Sequence, residues 1–527
     1  MSNASARRPA HAVVLTLVVL TVLAGCGRGD TAVGVPVDPA VARTVAGPVR
    51  GTVADDHRYF AGIPYAAPPV GPLRWQSPAP TPGWTQLRDA TRPGPRCVQD
   101  TSTDPDPRAT SEDCLTLNVW TPPPADELRP VMVWIHGGGF FNGSGDIYNA
   151  RRMVSRGGIV VVNINYRLGA LGYLAHPALG DNGDVGNYGL ADQQAALRWV
   201  RDNIAGFGGD PDKVTIAGES AGGMSVCDHL VAPGSAGLFR AAIIQSAPCQ
   251  AQYDLPTAQM ASEAYAAEIG CGETAVAAQC LRSLPADKLQ KGLLYGRIGT
   301  ERLGGPVTGT PALPVNPVVG MGEGRAARVP VMIGSNRDEF TLFAAIQHLH
   351  GRPMGPADYP GLLGEAFGRH ADAVAQRYPI DRYGGSVPLA YSAAMTDGDF
   401  ACVTELMADA LAEDQPVYGY EFNDRNAPGP APLREVPFPV GATHSLELRY
   451  LFDVGGAPQL DSAQQRLSDE MIDYWTRFVA TGAPGSDWPE MGENASGKRI
   501  SLQPNGNQII TDFGETHQCA FWAGLRG

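Results

Sequence analysis

Val214-Thr215-Ile216-Ala217-Gly218-Glu219-Ser220-Ala221-Gly222 is the stretch on which the reading of this chain turns. Its first four residues are an apolar, β-branched run of the kind that makes a buried strand. Gly218 to Gly222 then fits Gly-x-Ser-x-Gly. Gly223-Met224-Ser225-Val226 follows and leads into Cys227-Asp228-His229-Leu230-Val231, which reads as a helix start. Strand, glycine-flanked serine and helix together are the setting of a nucleophile elbow. The two glycines let the chain turn sharply and leave room around the hydroxyl. Ser220 would stand at the carboxyl end of a sheet, with the Ala221 amide at a helix N-terminus beside it. The bland alternative is a Gly/Ser-rich turn, and the flanking strand and helix tell against it.

Further short apolar runs read as buried strands: Val131 to Ile135, Ile159 to Ile164, Ala241 to Ile244, Val331 to Ile333 and Val417 to Phe422. They are continuous rather than alternating, as expected of strands covered on both faces. Helical patterns lie between them. The clearest is Asp192 to Ile204, where Leu197, Val200 and Ile204 recur at helical spacing and Arg198, Arg201 and Asp202 face outward. Alternating strands and helices predict an α/β fold with a central, mostly parallel twisted sheet flanked by helices. Val49 to Ile63 looks instead like an antiparallel hairpin at the sheet edge. No internal repeat and no linker interrupts residues 43–522, so residues 43–527 are taken as one domain.

Composition agrees with a globular chain: of 527 residues, 43% are hydrophobic and 18% charged. The net charge of −14 and the absence of long basic runs argue against nucleic acid as a partner and predict repulsion from an anionic lipid surface. At the N-terminus, Arg7-Arg8 precede an apolar run from Ala12 to Ala24 that ends in Leu23-Ala24-Gly25-Cys26. The run is short for a membrane span and reads as a signal peptide over residues 1–25. Its end resembles a bacterial lipobox, which would lipidate Cys26 and leave residues 26–42 as a flexible tether to the cell membrane or envelope. Nine cysteines less a lipidated Cys26 leave eight, an even number suited to an oxidising compartment. No cysteine or histidine cluster has metal-ligand spacing, so neither metal nor cofactor is expected.

A serine is a poor nucleophile at neutral pH and needs a base, which in turn needs an orienting acid. In a strand–elbow–helix fold the chain order is serine, acid, histidine. Of ten histidines, His348, His350, His370, His444 and His517 come late enough. His348 and His350 follow the nearest acid too closely, His370 sits in a charged helical stretch, and His517 lies near the C-terminus beside Cys519. His444 lies in a small-residue loop, Gly441-Ala442-Thr443-His444-Ser445, after the Val417 strand. The acid should follow a strand end, and Asp338 and Glu339 after Val331-Met332-Ile333 both qualify. His136-Gly137-Gly138-Gly139-Phe140, directly after the Val131 strand, suits an oxyanion-binding loop whose backbone N–H groups converge.

At this point the chain resembles the type-B carboxylesterases, the family that includes cholinesterases and bacterial para-nitrobenzyl esterases. The matching stretches are Phe60 to Ala66, Ser111 to Trp120, His136 to Phe140, Asn165 to Gly169, Asn187 to Gly223, Trp488-Pro489 and Cys519 to Trp522, spread over residues 43–522. The resemblance implies an α/β-hydrolase fold with Ser220 as nucleophile, Glu339 rather than Asp338 as acid, and His444 as base. It places the oxyanion amides on Gly138, Gly139 and Ala221, with Glu219 and Ser246 as polar neighbours of the triad. It further implies disulfides Cys97–Cys114, Cys271–Cys280 and Cys402–Cys519. Cys227 and Cys249 are left as either a fourth pair or two buried thiols.

The expected activity is hydrolysis of a small carboxylic ester through an acyl-enzyme. The loop between Cys97 and Cys114 holds no tryptophan, so aromatic recognition of a quaternary ammonium is not expected. Small residues in Gly304 to Leu313 suggest an open apolar pocket for short to medium acyl groups. The rival reading is a surface-anchored binding or adhesion protein on an inactive hydrolase fold. Acyl transfer or amide hydrolysis by the same triad is a third.

Overall fold

The six continuous apolar runs form neighbouring strands in the middle of one mixed sheet of eleven strands. In the computed structural model, residues 38–527 are described except 103–107, 181–184, 274, 291, 295, 300, 493–496 and 527. Residues 1–25, Cys26 and most of the 26–42 tether fall outside the described residues. In chain order the sheet strands are β1 (Thr52–Val53), β2 (Arg58–Pro64), β3 (Thr116–Thr121), β4 (Arg129–Ile135), β5 (Val160–Ile164), β6 (Gly209–Glu219), β7 (Ala241–Gln245), β8 (Val331–Asn336), β9 (Val417–Phe422), β10 (Arg499–Leu502) and β11 (Gln508–Ile510). Across the sheet the order is β1-β2-β3-β5-β4-β6-β7-β8-β9-β10-β11. Pairing is parallel from β5 through β10 and antiparallel at both edges. This is the α/β-hydrolase architecture.

Two hydrophobic cores lie on opposite faces, and the strands feed both by alternation. In β4, Val131, Val133 and Ile135 enter one core, while Met132 and Trp134 enter the other. In β7, Ala242 and Ile244 face the first core, and Ala241 and Ile243 the second. Both faces being dry is why these strands read as unbroken apolar runs. Helices α1 (Tyr188–Asn203), α2 (Ala221–Val231) and α3 (Cys402–Ala412) cover the first face with Leu197, Val200, Met224, Val226, Val403 and Met407. Helix α4 (Ser462–Thr481) covers the second with Leu467, Met471, Trp475 and Phe478. Its ends follow from sequence: Asp461 and Gln464 form a capping box, and Gly482 closes it at φ 82°.

Three local expectations shift. Helix α1 begins at Tyr188, four residues before the expected Asp192, whose buried carboxylate instead grips Arg167 through Nε (2.7 Å) and Nη2 (2.8 Å). Helix α2 begins at Ala221, immediately after the elbow, so Gly223 to Val226 lie inside it rather than before it. The edge hairpin comprises only β1 and β2; Pro48–Arg50 pairs with Val41–Arg43 in a separate three-stranded sheet. Residues Pro39–Gly527 form one compact unit. Four disulfides join Cys97–Cys114, Cys227–Cys249, Cys271–Cys280 and Cys402–Cys519. The Cys227–Cys249 bond ties α2 to the segment after β7.

Candidate active site

The carboxyl ends of β4, β6, β7 and β8 meet on one rim of the sheet, where ligands bind in open α/β folds. At the end of β6, Ser220 is held at φ 57°, ψ −123°, a conformation that L residues rarely adopt and that costs about 1–3 kcal/mol. Close approach explains the flanking glycines. A Cβ at 218 would lie 2.4 Å from the carbonyl carbon of Gly222, and one at 222 would lie 2.0 Å from the carbonyl oxygen of Ile135. The elbow therefore folds back on itself and onto β4, and no larger residue fits at either position.

Each of the three proposed oxyanion donors belongs to a peptide unit whose carbonyl is fixed elsewhere. The Gly137 carbonyl, in the unit that carries the Gly138 N–H, lies 2.8 Å from Nδ1 of buried His136. The Gly138 carbonyl, in the unit that carries the Gly139 N–H, accepts from the Phe141 and Asn142 amides at 3.1 and 3.0 Å. The Ser220 carbonyl, in the unit that carries the Ala221 N–H, accepts from Met224 N at 2.8 Å in the first turn of α2. Gly137 packs on the elbow: a Cβ there would be 3.2 Å from Ser220 Cβ. Fixed dipoles of this kind need no reorganisation when charge develops on a substrate oxygen.

After β8, Glu339 turns inward. Its Oε2 lies 2.6 Å from His444 Nδ1, and its Oε1 accepts from Asn336 N at 2.7 Å. Asp338 points the other way, pairing with Arg425 and accepting from Ala442 N at 3.0 Å. Geometry thus separates two carboxylates that adjoin in sequence: one touches the imidazole and the other anchors the loop that carries it. His444 Nε2 is 3.1 Å from Glu219 Oε1, and Ser445 Oγ donates to that same oxygen at 2.5 Å. Because Glu219 immediately precedes Ser220, the imidazole stands beside the elbow. Phe343 and Phe400 flank the ring at 5.2 and 5.5 Å between centroids. Ser246 sits at the end of β7 at φ 49°, and its Oγ has no hydrogen-bond partner among the described residues.

Glu447, three residues past His444, did not stand out in the sequence. It is fully buried and accepts from Asn336 Nδ2 (2.6 Å) and Gln245 Nε2 (3.2 Å). Trp475 Nε1 donates to Gln245 Oε1 at 2.9 Å, so α4 anchors this network from the opposite core. The sequence signal for Glu447 was only a carboxylate set between Leu446 and Leu448. Burial raises its pKa to about 8, with the Glu219 and Glu339 charges adding to the shift, which favours its protonated form. Burial also raises Glu219, against the pull of His444. For His444 burial favours the neutral form, but the charges of Glu219 and Glu339 win and raise its pKa to about 9.

Within Gly304 to Leu313, Gly305 and Val307 are packed. A Cβ on Gly305 would meet the Phe140 ring at 2.7 Å, and Asn187 clamps Val307 through both its N–H and its carbonyl. Among the described residues, no group of three or more His, Cys, Asp or Glu side chains could hold a metal ion. No described helix is long and apolar enough to cross a membrane.

The sequence profile of the carboxylesterase family matches residues 38–522. The chain is 37% identical over 482 residues to a fumonisin B1 esterase of Sphingopyxis macrogoltabida, covering 86% of this chain and 85% of that protein. It is 34% identical over 471 residues to the para-nitrobenzyl esterase of Bacillus subtilis (strain 168), covering 85% and 92% respectively. Among solved structures, a thermophilic PNB esterase superposes with a TM-score of 0.78 at 30% identity, over 92% of this chain and all of that one. A second PNB esterase gives 0.77 at 32% identity, again over 92% and 100%.

Proposed function

The chain belongs to the carboxylesterase family, and we propose that it hydrolyses carboxylic esters with Ser220 as nucleophile, His444 as base and Glu339 as the orienting acid. One observation carries the assignment: Glu339 and His444 are in hydrogen-bond contact, with Nε2 directed at the residue that precedes the strained elbow serine. Nε2 takes the Ser220 proton as Oγ attacks the ester carbonyl. The oxyanion is held by the amides of Gly138, Gly139 and Ala221. The resulting imidazolium gives its proton to the departing alcohol, and water then cleaves the acyl-enzyme by the same route. Glu339 fixes the tautomer with the proton on Nδ1, while Glu219 and Glu339 stabilise the cationic ring.

Reaching Ser220 requires Nε2 to exchange its Glu219 contact for the hydroxyl while Nδ1 stays on Glu339. The relatives are named as esterases or hydrolases of fumonisin B1, para-nitrobenzyl esters and phenmedipham. The adhesion alternative finds no support among them. The substrate we assign is a small uncharged ester with a short to medium acyl group, received against Phe343 and Phe400. A fluorophosphonate probe should label Ser220, located by peptide mapping, and a folded Ser220→Ala protein should lose p-nitrophenyl butyrate turnover by several orders of magnitude. Full turnover by that variant would overturn the assignment, and a p-nitrophenyl ester series of graded acyl length tests the substrate class.

Export as a lipoprotein remains part of the same proposal: cleavage before Cys26, lipidation of that cysteine, and residues 26–42 as the tether at the bacterial envelope. Four disulfides are consistent with an oxidising compartment. Cys26→Ala should move the protein from the membrane to the soluble fraction, and unchanged membrane association would remove the lipid anchor from the proposal.

A further inference from the structure

The loop closed by Cys97–Cys114 lies far from Ser220 in sequence, yet it grips the oxyanion loop. Gln99, two residues after Cys97 and 5% exposed, holds one residue of that loop with both its carboxamide oxygen and its nitrogen. Its Oε1 accepts from Gly143 N at 2.9 Å, and its Nε2 donates to the Gly143 carbonyl at 2.8 Å. The second Nε2 proton reaches the Cys97 carbonyl at 3.0 Å, which ties the grip to the disulfide.

Gly143 in turn presses on the donor peptide. It sits at φ 106°, and a Cβ on it would lie 2.4 Å from the Gly137 carbonyl oxygen and 2.5 Å from His136 Nδ1. That carbonyl shares a rigid, planar peptide unit with the Gly138 N–H, so a tilt of one is a tilt of the other. Beyond Gly143, Asn165 Oδ1 accepts from Gly145 N at 2.9 Å and from Ser144 Oγ at 3.1 Å. The 138–145 turn is therefore pinned at its far end, with Gln99 gripping the residue that buttresses the Gly137–Gly138 peptide.

We infer that Gln99 is a positioning residue for ester hydrolysis: through Gly143 it orients the Gly138 N–H toward the developing oxyanion, coupling the Cys97–Cys114 loop to transition-state stabilisation. The inference rests on the oxyanion assignment above. Gln99 does not touch substrate, so ground-state binding should be spared.

The test is kinetic, on the full-length protein. Gln99→Leu keeps the side-chain size and removes all three hydrogen bonds. Expected is a fall in kcat of about 10- to 100-fold with KM within about twofold, because losing one oxyanion donor outright costs about 100- to 1000-fold. The Ki of an alkyl trifluoromethyl ketone, whose hemiketal oxyanion occupies the hole, should rise in parallel with the loss of kcat/KM. Gln99→Glu covers the case in which Gln99→Leu does not fold. Ionised, it offers no donor to the Gly143 carbonyl; protonated, it does, so its kcat relative to wild type should climb as pH falls. A folded Gln99→Leu with kcat within about twofold of wild type overturns the inference. So does a rise in KM at constant kcat, or a Gln99→Glu ratio flat with pH. If wild type binds the trifluoromethyl ketone no better than the plain methyl ketone, the oxyanion assignment itself fails and the inference falls with it.

Discussion

Two buried histidines in this protein have almost the same immediate neighbours. His444 lies between Glu339 on Nδ1 (2.6 Å) and Glu219 on Nε2 (3.1 Å). His517 lies between Asp397 on Nδ1 (2.5 Å) and Glu421 on Nε2 (2.7 Å). In both, burial opposes the charge, the carboxylates overcome it, and the pKa rises to about 9. The acid loop runs between them, with Arg337 reaching Glu421 at 3.1 Å while Glu339, two residues on, reaches His444.

What separates them is charge balance and the residue next in line. Around His517, Asp397 and Glu421 meet two cations, His517 itself and Arg337, in one cluster. It also sits beside the Cys402–Cys519 bond, with Tyr378 OH donating to Asp397 at 2.8 Å, and so secures the C-terminal segment. Around His444 three carboxyl groups, Glu219, Glu339 and Glu447, surround one imidazole, and among the described residues no arginine or lysine pairs with any of them. Burial first, and then the Glu219 and Glu339 charges, push the Glu447 pKa up, and the same two charges favour the imidazolium form of His444. Its Nε2 meets Glu219, the residue directly before the strained Ser220. In the cavity of about 560 Å³ beside His517, Ser392 lies within the helix Val387–Met395, with no elbow to present it. An acid–histidine contact is thus a structural device found twice in this protein; the nucleophile elbow and the lack of a neighbouring arginine or lysine set apart the one proposed to act in catalysis.

The largest contrast should come from the two Nδ1 carboxylates. Glu339→Gln should lower kcat by about 10³- to 10⁴-fold by losing the tautomer control, whereas Asp397→Asn should leave kcat within a few-fold. Equal losses on p-nitrophenyl butyrate would erase the distinction. Next, Asp338→Asn should cost roughly tenfold in kcat by loosening the Ala442 and Arg425 contacts that place the His444 loop, since small misplacements of catalytic groups carry such penalties. A Glu339-sized loss there would mean that the two adjacent acids are not divided as the geometry has them.

A pH profile probes the charge surplus. His444 must be neutral to act as base, so kcat/KM should fall as pH drops through its raised pKa, above the usual 6.5. Glu219→Gln removes the largest upward influence and should move this limb down by about one pH unit, a typical effect of deleting a charge at such range. An unmoved limb would discount Glu219 as the cause. The smallest effect on rate should be that of His517→Gln, within about twofold, with a loss of about 3 kcal/mol of stability at pH 7 from breaking a buried charged network. The sign is fixed by the raised pKa: this stabilisation is fully present below about pH 6.5 and is lost as pH rises through about 9, so the gap to wild type should narrow in that window. Urea denaturation at pH 7 and pH 10 measures it, and a gap that widens with pH would contradict the cluster.

Local patterning carried much of this protein. The strands from β4 to β9 were legible because burial on both faces demands unbroken apolar runs. The serine was legible because a strand turning directly into a helix tolerates only glycine at the two contact points, 218 and 222. The order serine–acid–histidine follows from the connectivity of the fold and directed attention to His444. Short strands such as β10 and β11 were missed, because four and three residues are too few to show an apolar pattern.

What the sequence could not fix is whatever depends on side chains meeting from distant segments. Asp338 and Glu339 are equivalent as letters, and only packing turns one toward the imidazole and the other toward Arg425. Glu447, Gln245 and Gln99 matter through partners some tens to hundreds of residues away in the chain, and no periodicity records such a meeting. His517 shows the converse: its sequence position says nothing of a buried imidazole between two carboxylates. Sequence by itself determined the elbow, the parallel sheet and the family, because these rest on local backbone constraints and one-dimensional hydrophobic pattern. Residue pattern left Asp338 and Glu339 open, and the family resemblance pointed to Glu339. The tertiary structure shows the contact itself and pairs His517 with Asp397 and Glu421, because electrostatic partners are set by distance and burial, and both are properties of the folded chain.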